Sequence, residues 1–249
     1  FMRKLNWGII GLGNVAQKFL EGFHGVENSN LLAIASKSKT KTLKFKNQFQ
    51  INEEFVFNKY EDLLNCKDID IIYISLPNSY HYEWILKSIE KNKKVLVEKP
   101  ATLNFEEAQK LSEIIKKKNI FFNEGFMYRH DTQIKKVIEL IKNNEIGELL
   151  SMESSFGVNI LTKKKLYFFQ KEKKIDKNSR QFNNQLGGGC ILDLGCYPTS
   201  LSLLICSLVK NIDCNKFKIT NLVREIGSTG VDINAEAKII FDNGFNAKV

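Results

Sequence analysis

The sequence predicts an α/β fold, a doubly wound parallel sheet followed by a C-terminal α+β domain with a mostly antiparallel open sheet. Three observations predict it. The apolar run Trp7-Gly8-Ile9-Ile10 enters the glycine turn GLGNVA, Gly11–Ala16. Short apolar runs then alternate with stretches of helical periodicity through the first half. The last part alternates polar and apolar residues between turn residues, the pattern of antiparallel strands.

The predicted parallel strands are Leu5–Ile10, Leu31–Ala35, Ile69–Ser75, Lys94–Glu98 and Ile120–Phe122. Several are near-continuous apolar runs, as expected where both faces of a sheet are covered. In the first helix Val15, Phe19, Leu20 and Phe23 recur at helical spacing and are expected to face the sheet. Another helix starts near Asn78 and carries His81, Trp84, Ile85 and Ile89. A third has Asn104 as its N-cap and Glu107 three residues on, a capping pair. Beyond about residue 123 the texture changes. A helix is predicted from Asp131 to Ile141, then a strand Leu149–Phe156 and a long polar loop Asn159–Gln185. A helical stretch Gly187–Leu208 follows, and an antiparallel meander over Lys218–Arg224, Val231–Phe241 and Phe245–Val249 closes the chain. The resulting domains are 1–122 and 123–249.

Composition narrows the function. With 249 residues, 43% of them hydrophobic, the chain can build a full core. No apolar run reads as long enough to cross a bilayer, so no membrane partner is expected. The five cysteines form no CxxC pair. That fits a reducing, cytoplasmic setting, with no disulfide framework and no metal site. The net charge of +9 invites a nucleic-acid reading, but the excess is almost all lysine and no nucleic-acid motif is present. A solvated lysine-rich surface is the simpler account, and no nucleic-acid partner is expected.

The chemistry sits in four segments. The glycine turn suits a dinucleotide pyrophosphate: Gly11 for the turn, Gly13 for close backbone approach, Ala16 for tight helix packing, and the helix N–H groups of Asn14 and Val15 for the anion. The second strand ends in Ser36-Lys37, where an NAD-preferring fold usually carries a carboxylate. A hydroxyl and a cation suit a 2′-phosphate, so NADP(H) is favoured over NAD(H). Leu76, Pro77, Asn78 and His81 follow a strand's carboxyl end and are expected to line the cofactor. Glu98-Lys99-Pro100 ends another strand, where core packing explains a lysine poorly. In GGGCILDLGCYP, Gly187–Pro198, Asp193 and Tyr197 stand four apart and would share a helix face.

Together GLGNVA, YISLPNSYH (Tyr73–His81), VLVEKP (Val95–Pro100), EGFMYR (Glu124–Arg129) and RQFNNQLGGGCILDLGCYP (Arg180–Pro198) resemble the Gfo/Idh/MocA family of oxidoreductases. The resemblance implies an N-terminal Rossmann domain binding the nucleotide and a C-terminal domain with a large open sheet. Where many members carry His, this chain has Tyr197. It is similar there to the branch containing glucose-fructose oxidoreductase, NADP-dependent xylose dehydrogenase and dihydrodiol dehydrogenase. That implies a sugar or cyclic diol substrate and a homodimer or homotetramer formed through the C-terminal sheet. Family members usually continue past the last hairpin, so the C-terminal domain reads as truncated.

The expected reaction moves a hydride between nicotinamide and a secondary alcohol or hemiacetal carbon. Tyr197 carries the hydroxyl proton. Free phenols ionise near pH ~10, and a neighbouring Lys99 ammonium would favour the phenolate and a developing alkoxide. Asp193 orients the substrate hydroxyl or Lys99. Glu98 is counted with the cofactor residues, and Arg129 and Arg180 with substrate or phosphate contacts. The alternative is a sensor that binds NADP without catalysis, since fold alone does not grant activity.

Overall fold

The computed structural model describes residues 3–160, 162–165, 169–172, 174–210 and 212–249. These form two compact units, residues 1–125 and 126–249.

In the first unit, β1 (Leu5–Ile10), β2 (Ser29–Ala35), β3 (Val56–Phe57), β4 (Ile71–Ile74), β5 (Lys94–Val97) and β6 (Phe122–Glu124) make one sheet in the order β3-β2-β1-β4-β5-β6. All neighbours run parallel. Alternation along each strand divides the core in two. Ile9, Ile34 and Tyr73 face α1 (Asn14–Glu21) and α2 (Lys39–Phe49). Ile10, Ala35, Ile72, Ile74, Val95 and Val97 face α3 (Tyr60–Asn65), α4 (His81–Glu90) and α5 (Phe105–Lys118). The chain order reverses between β1 and β4, the switch point where such sheets open a ligand crevice.

The capping pair forms: the Glu107 amide donates to the Asn104 side chain at 2.9 Å. Two expectations need correction. In α1 the buried residues are Ala16 and Leu20, while Val15 is 45% exposed. Ala16 takes a sheet-facing position beside Leu20. The strand expected at Ile120–Phe122 starts two residues later. Asn119 turns left-handed (φ 47°), and Ile120 donates back to Ile115, so Ile120 still belongs to the helix end.

In the second unit, α6 (Thr132–Lys142) is capped by Asp131, whose carboxylate accepts from Gln133. It packs with α7 (Cys196–Cys206) on a four-stranded sheet, β10 (Phe217–Ile226), β11 (Asp232–Phe241), β12 (Asn246–Lys248) and β7 (Ser151–Glu153), in that order. The meander is antiparallel as expected, but β7 joins β12 in parallel, so the sheet is mixed. β7 is shorter than the predicted Leu149–Phe156 because the short β12 offers it few partners. The predicted loop Asn159–Gln185 contains a hairpin of β8 (Thr162–Lys165) and β9 (Phe169–Glu172); positions 161, 166–168 and 173 of that loop lie outside the described residues. The predicted helix Gly187–Leu208 begins with a π-helical turn, Ile191–Gly195, before α7.

The segment Asn184–Cys206 is apolar enough by length and composition to be weighed as a membrane span, but the left-handed Gly187 and Gly189 interrupt it ahead of the π turn and α7. It carries the ion-paired Asp193, and its end buries Ile205 and Cys206 in the core of the second unit.

Candidate active site

In the first unit the glycine turn is clipped to the end of β4. The Ser75 hydroxyl donates to the Gly11 carbonyl at 2.7 Å, and the Gly11 amide donates to Ala35 at 3.1 Å. Gly11 has φ +90°, and a Cβ there would lie 2.7 Å from the Ser75 carbonyl oxygen, so only glycine fits. A Cβ on Gly13 would meet nothing within 4 Å, so the space above the turn is open. Gly13 is the N-cap of α1 and supplies no side-chain cap. The first helix N–H groups, with Asn14 and Val15 leading, therefore point into an open cradle, which suits a pyrophosphate. Ser36 is buried, and its hydroxyl accepts from the Ser38 amide at 3.2 Å; Lys37 beside it is exposed. The residues present fit a dinucleotide.

Lys99 is half-buried and sits on a loop braced from three sides. Before it, the Tyr73 hydroxyl donates to the Glu98 carboxylate at 2.6 Å. Burial, then the Glu98 charge, holds the Tyr73 phenol well above its ordinary range, so it stays a donor. After it, the Pro100 carbonyl lies 2.7 Å from His81 Nδ1, and the Ala101 amide donates to Glu124 at 2.8 Å. The Lys99–Pro100 peptide is cis. His81 has no exposed surface, and its Nε2 lies 2.8 Å from the Leu76 carbonyl. Expected to line the cofactor, His81 instead ties the Leu76-Pro77-Asn78 turn to the Lys99 loop. Asn78 is itself buried, and Leu76 and Pro77 are part-exposed.

In the second unit the Gly187–Gly189 loop folds against β11. Gly189 has φ +107°, and a Cβ there would lie 2.5 Å from the Asp232 carboxylate. That carboxylate accepts from the Ile191 amide at 2.7 Å and so opens the π turn. Asp193 lies within this turn, so the α-helical offset to Tyr197 does not carry over unchanged. π turns recur at functional sites because they re-aim side chains. Arg180 donates to Asp193 at 2.9 Å, bringing together two residues the sequence singled out separately. Tyr197 stands among aromatic rings, with Phe156 at 5.3 Å, Phe126 at 5.7 Å and Tyr128 at 6.2 Å. Arg129 donates to the Ser200 hydroxyl at 3.0 Å, which also bonds Tyr128.

Sequence reasoning missed Tyr73, Glu124 and Asp232. Tyr73 and Glu124 lie inside the quoted motifs, yet their roles need strand neighbours far away in sequence. Asp232 has no local signal. Among the described residues no cluster of His, Cys, Asp and Glu is arranged to hold a metal ion.

Residues 5–126 match the oxidoreductase family with an NAD-binding Rossmann fold, and residues 134–249 match the GFO/IDH/MocA C-terminal domain. The chain belongs to this oxidoreductase family. It is 32% identical over 199 residues to a dTDP-3,4-didehydro-2,6-dideoxy-alpha-D-glucose 3-reductase of Saccharopolyspora spinosa, covering 79% of this chain and 55% of that protein. It is 29% identical over 205 residues to a D-xylose 1-dehydrogenase (NADP(+)) of Hypocrea jecorina, covering 78% of this chain and 51% of the relative. The chain thus spans about half the length of these relatives. The structure of KijD10, a 3-ketoreductase from Actinomadura kijaniata in complex with NADP and TDP-benzene, superposes with a TM-score of 0.82 at 24% identity, over 99% of this chain and 69% of that one. That likeness is one of fold.

Proposed function

We propose that this chain is the cofactor-binding and catalytic part of an NADP(H)-dependent oxidoreductase acting on a secondary alcohol or hemiacetal carbon of a sugar or cyclic diol. The observation that carries it is the set Lys99, Asp193 and Tyr197 in a chain whose two halves both match the family. The named activities of the relatives, a deoxysugar 3-reductase, a dihydrobenzenediol dehydrogenase and a xylose dehydrogenase, support the substrate class.

A bound nicotinamide would supply the hydride donor or acceptor. The cradle at Gly11–Val15 would hold the pyrophosphate, and Ser36 with Lys37 would take the 2′-phosphate. Tyr197 moves the proton of the reacting hydroxyl. The Lys99 ammonium, after the carboxyl end of β5, offers a cation to developing negative charge. Asp193, fixed by Arg180, orients the hydroxyl.

Five free thiols support a cytoplasmic setting. The edge strand β10 of the second unit exposes Ile219, Leu222, Val223 and Ile226, each about half or more exposed, which supports a homo-oligomer through that sheet. The test is reduction of NADP⁺ by a panel of aldoses and cyclic diols, with Lys99→Met as the control. Turnover lost in the variant is expected. Full turnover in Lys99→Met would sink the mechanism, and tight NADPH binding with no turnover on any substrate would favour the sensor reading.

A further inference from the structure

The cation expected to read the 2′-phosphate is itself held by an aromatic ring. The Lys37 ammonium lies 5.8 Å from the centroid of the Tyr60 ring. The Tyr60 hydroxyl also takes a hydrogen bond from the Lys37 backbone. One side chain thus grips Lys37 at both ends. Tyr60 is buried, and it stands edge-on to the buried Trp84 with centroids 4.9 Å apart, so it cannot easily follow a moving lysine. The flanking loop is fixed as well: Ser36 accepts from the Ser38 amide, and Ser38 caps α2 by accepting from Lys41 at 3.4 Å. Glu61, an acidic neighbour that also feels Lys37, is engaged by Lys87 at 3.3 Å.

We infer that Tyr60 is a specificity-determining residue: it pre-positions the Lys37 ammonium at the carboxyl end of β2, and so favours a nucleotide carrying a 2′-phosphate over one with a free 2′-hydroxyl. The physics is preorganisation. A free lysine loses rotamer freedom when it clamps an anion, and a lysine already laid on a ring loses less. This inference rests on the NADP(H) reading and names how it is enforced.

The test titrates the full chain with NADPH and with NADH by nicotinamide fluorescence. The variants are Tyr60→Phe, Tyr60→Leu, Lys37→Met and the double variant Lys37→Met/Tyr60→Leu. Tyr60→Leu is expected to weaken NADPH by about 2- to 5-fold and leave NADH unchanged. Tyr60→Phe, which keeps the ring, lowers the NADPH-to-NADH affinity ratio less. In the Lys37→Met background Tyr60→Leu has no further effect. Equal weakening of both nucleotides, or the same loss with Lys37 already removed, overturns the inference. If Tyr60→Leu does not fold, Tyr60→Phe decides: a lowered ratio supports the inference and an unchanged ratio overturns it. A wild-type chain that prefers NADH, or binds neither nucleotide, overturns the cofactor reading and the inference with it. A wild-type preference for NADPH that no Tyr60 variant alters overturns the inference alone.

Discussion

The two units hold their chemistry in different ways. The cradle of the first unit is made of backbone: a left-handed glycine, an uncapped helix start and a carbonyl clipped by Ser75. The constellation of the second unit is made of side chains, Asp193 tied to Arg180 and Tyr197 set among rings, carried by an irregular turn. A backbone site tolerates few substitutions at its glycines and many around them. A side-chain site can lose its chemistry and keep its fold.

Substitutions that separate binding from turnover sharpen this contrast. The largest expected effect is on Tyr197. Tyr197→Phe should cut turnover by about 10²- to 10⁴-fold, the usual range for a general acid or base, while NADPH affinity stays within about twofold. A parallel loss of NADPH affinity would break the division of labour. Steady-state assay beside fluorescence titration reads both.

Next come the two glycines of the turn. Gly11→Ala meets the Ser75 carbonyl in a strained backbone conformation, and about 2–3 kcal/mol of stability should be lost. Gly13→Ala meets open space and should leave the urea midpoint nearly unchanged. Its Cβ instead enters the cradle and weakens NADPH. If both variants lose equal stability, the cradle is ordinary structure.

Lys93 offers a comparison within the first unit, because it is a lysine with a structural task. Its ammonium is buried and donates to the carbonyls of Cys66 and Ile69 at 2.6 and 2.7 Å. Lys93→Met should cost about 2 kcal/mol by urea unfolding, as those carbonyls lose a charged donor, with no change in nucleotide preference. Burial holds the Lys93 ammonium below its ordinary range. The unfolded chain therefore binds more protons between the lowered value and the ordinary one. This group's contribution to stability rises with pH across that window.

The smallest effect is a rate of labelling. Burial, then the Asp232 carboxylate, pushes the Cys190 thiol up to about 12, and burial with Cys214 beside it does the same for Cys206. A higher value means less thiolate, so iodoacetamide at pH ~8 should modify these two slowly, and faster as the pH is raised. Mass spectrometry of digests taken over time at two pH values reads both rates. Early labelling of Cys190 would place the π turn in a more open environment.

The same contrast explains what could be read before the structure. Strand–turn–helix periodicity is local, so β1, the glycine turn and the Asn104 cap were legible, down to the residues. Ser36 and Lys37 were legible because their place after β2 follows from the topology. The hydrogen bonds that aim Lys99 were not, since Tyr73, His81 and Glu124 arrive from three separate elements. Val15 misled because helical spacing cannot say which edge of an apolar stripe meets the sheet. The π turn was invisible: the Asp232 carboxylate that binds its first amide stands 41 positions away. Arg180 and Asp193 could each be singled out, but only the folded chain pairs them.

On the proposal above, the first unit is an NADP(H) cradle whose selectivity lies at the end of β2. Parallel titration of the unmodified chain with NADPH and NADH, followed by nicotinamide fluorescence, tests it most directly. Tighter binding of NADPH is expected, with the difference removed by Lys37→Met. Equal affinities, or a preference for NADH, would contradict it.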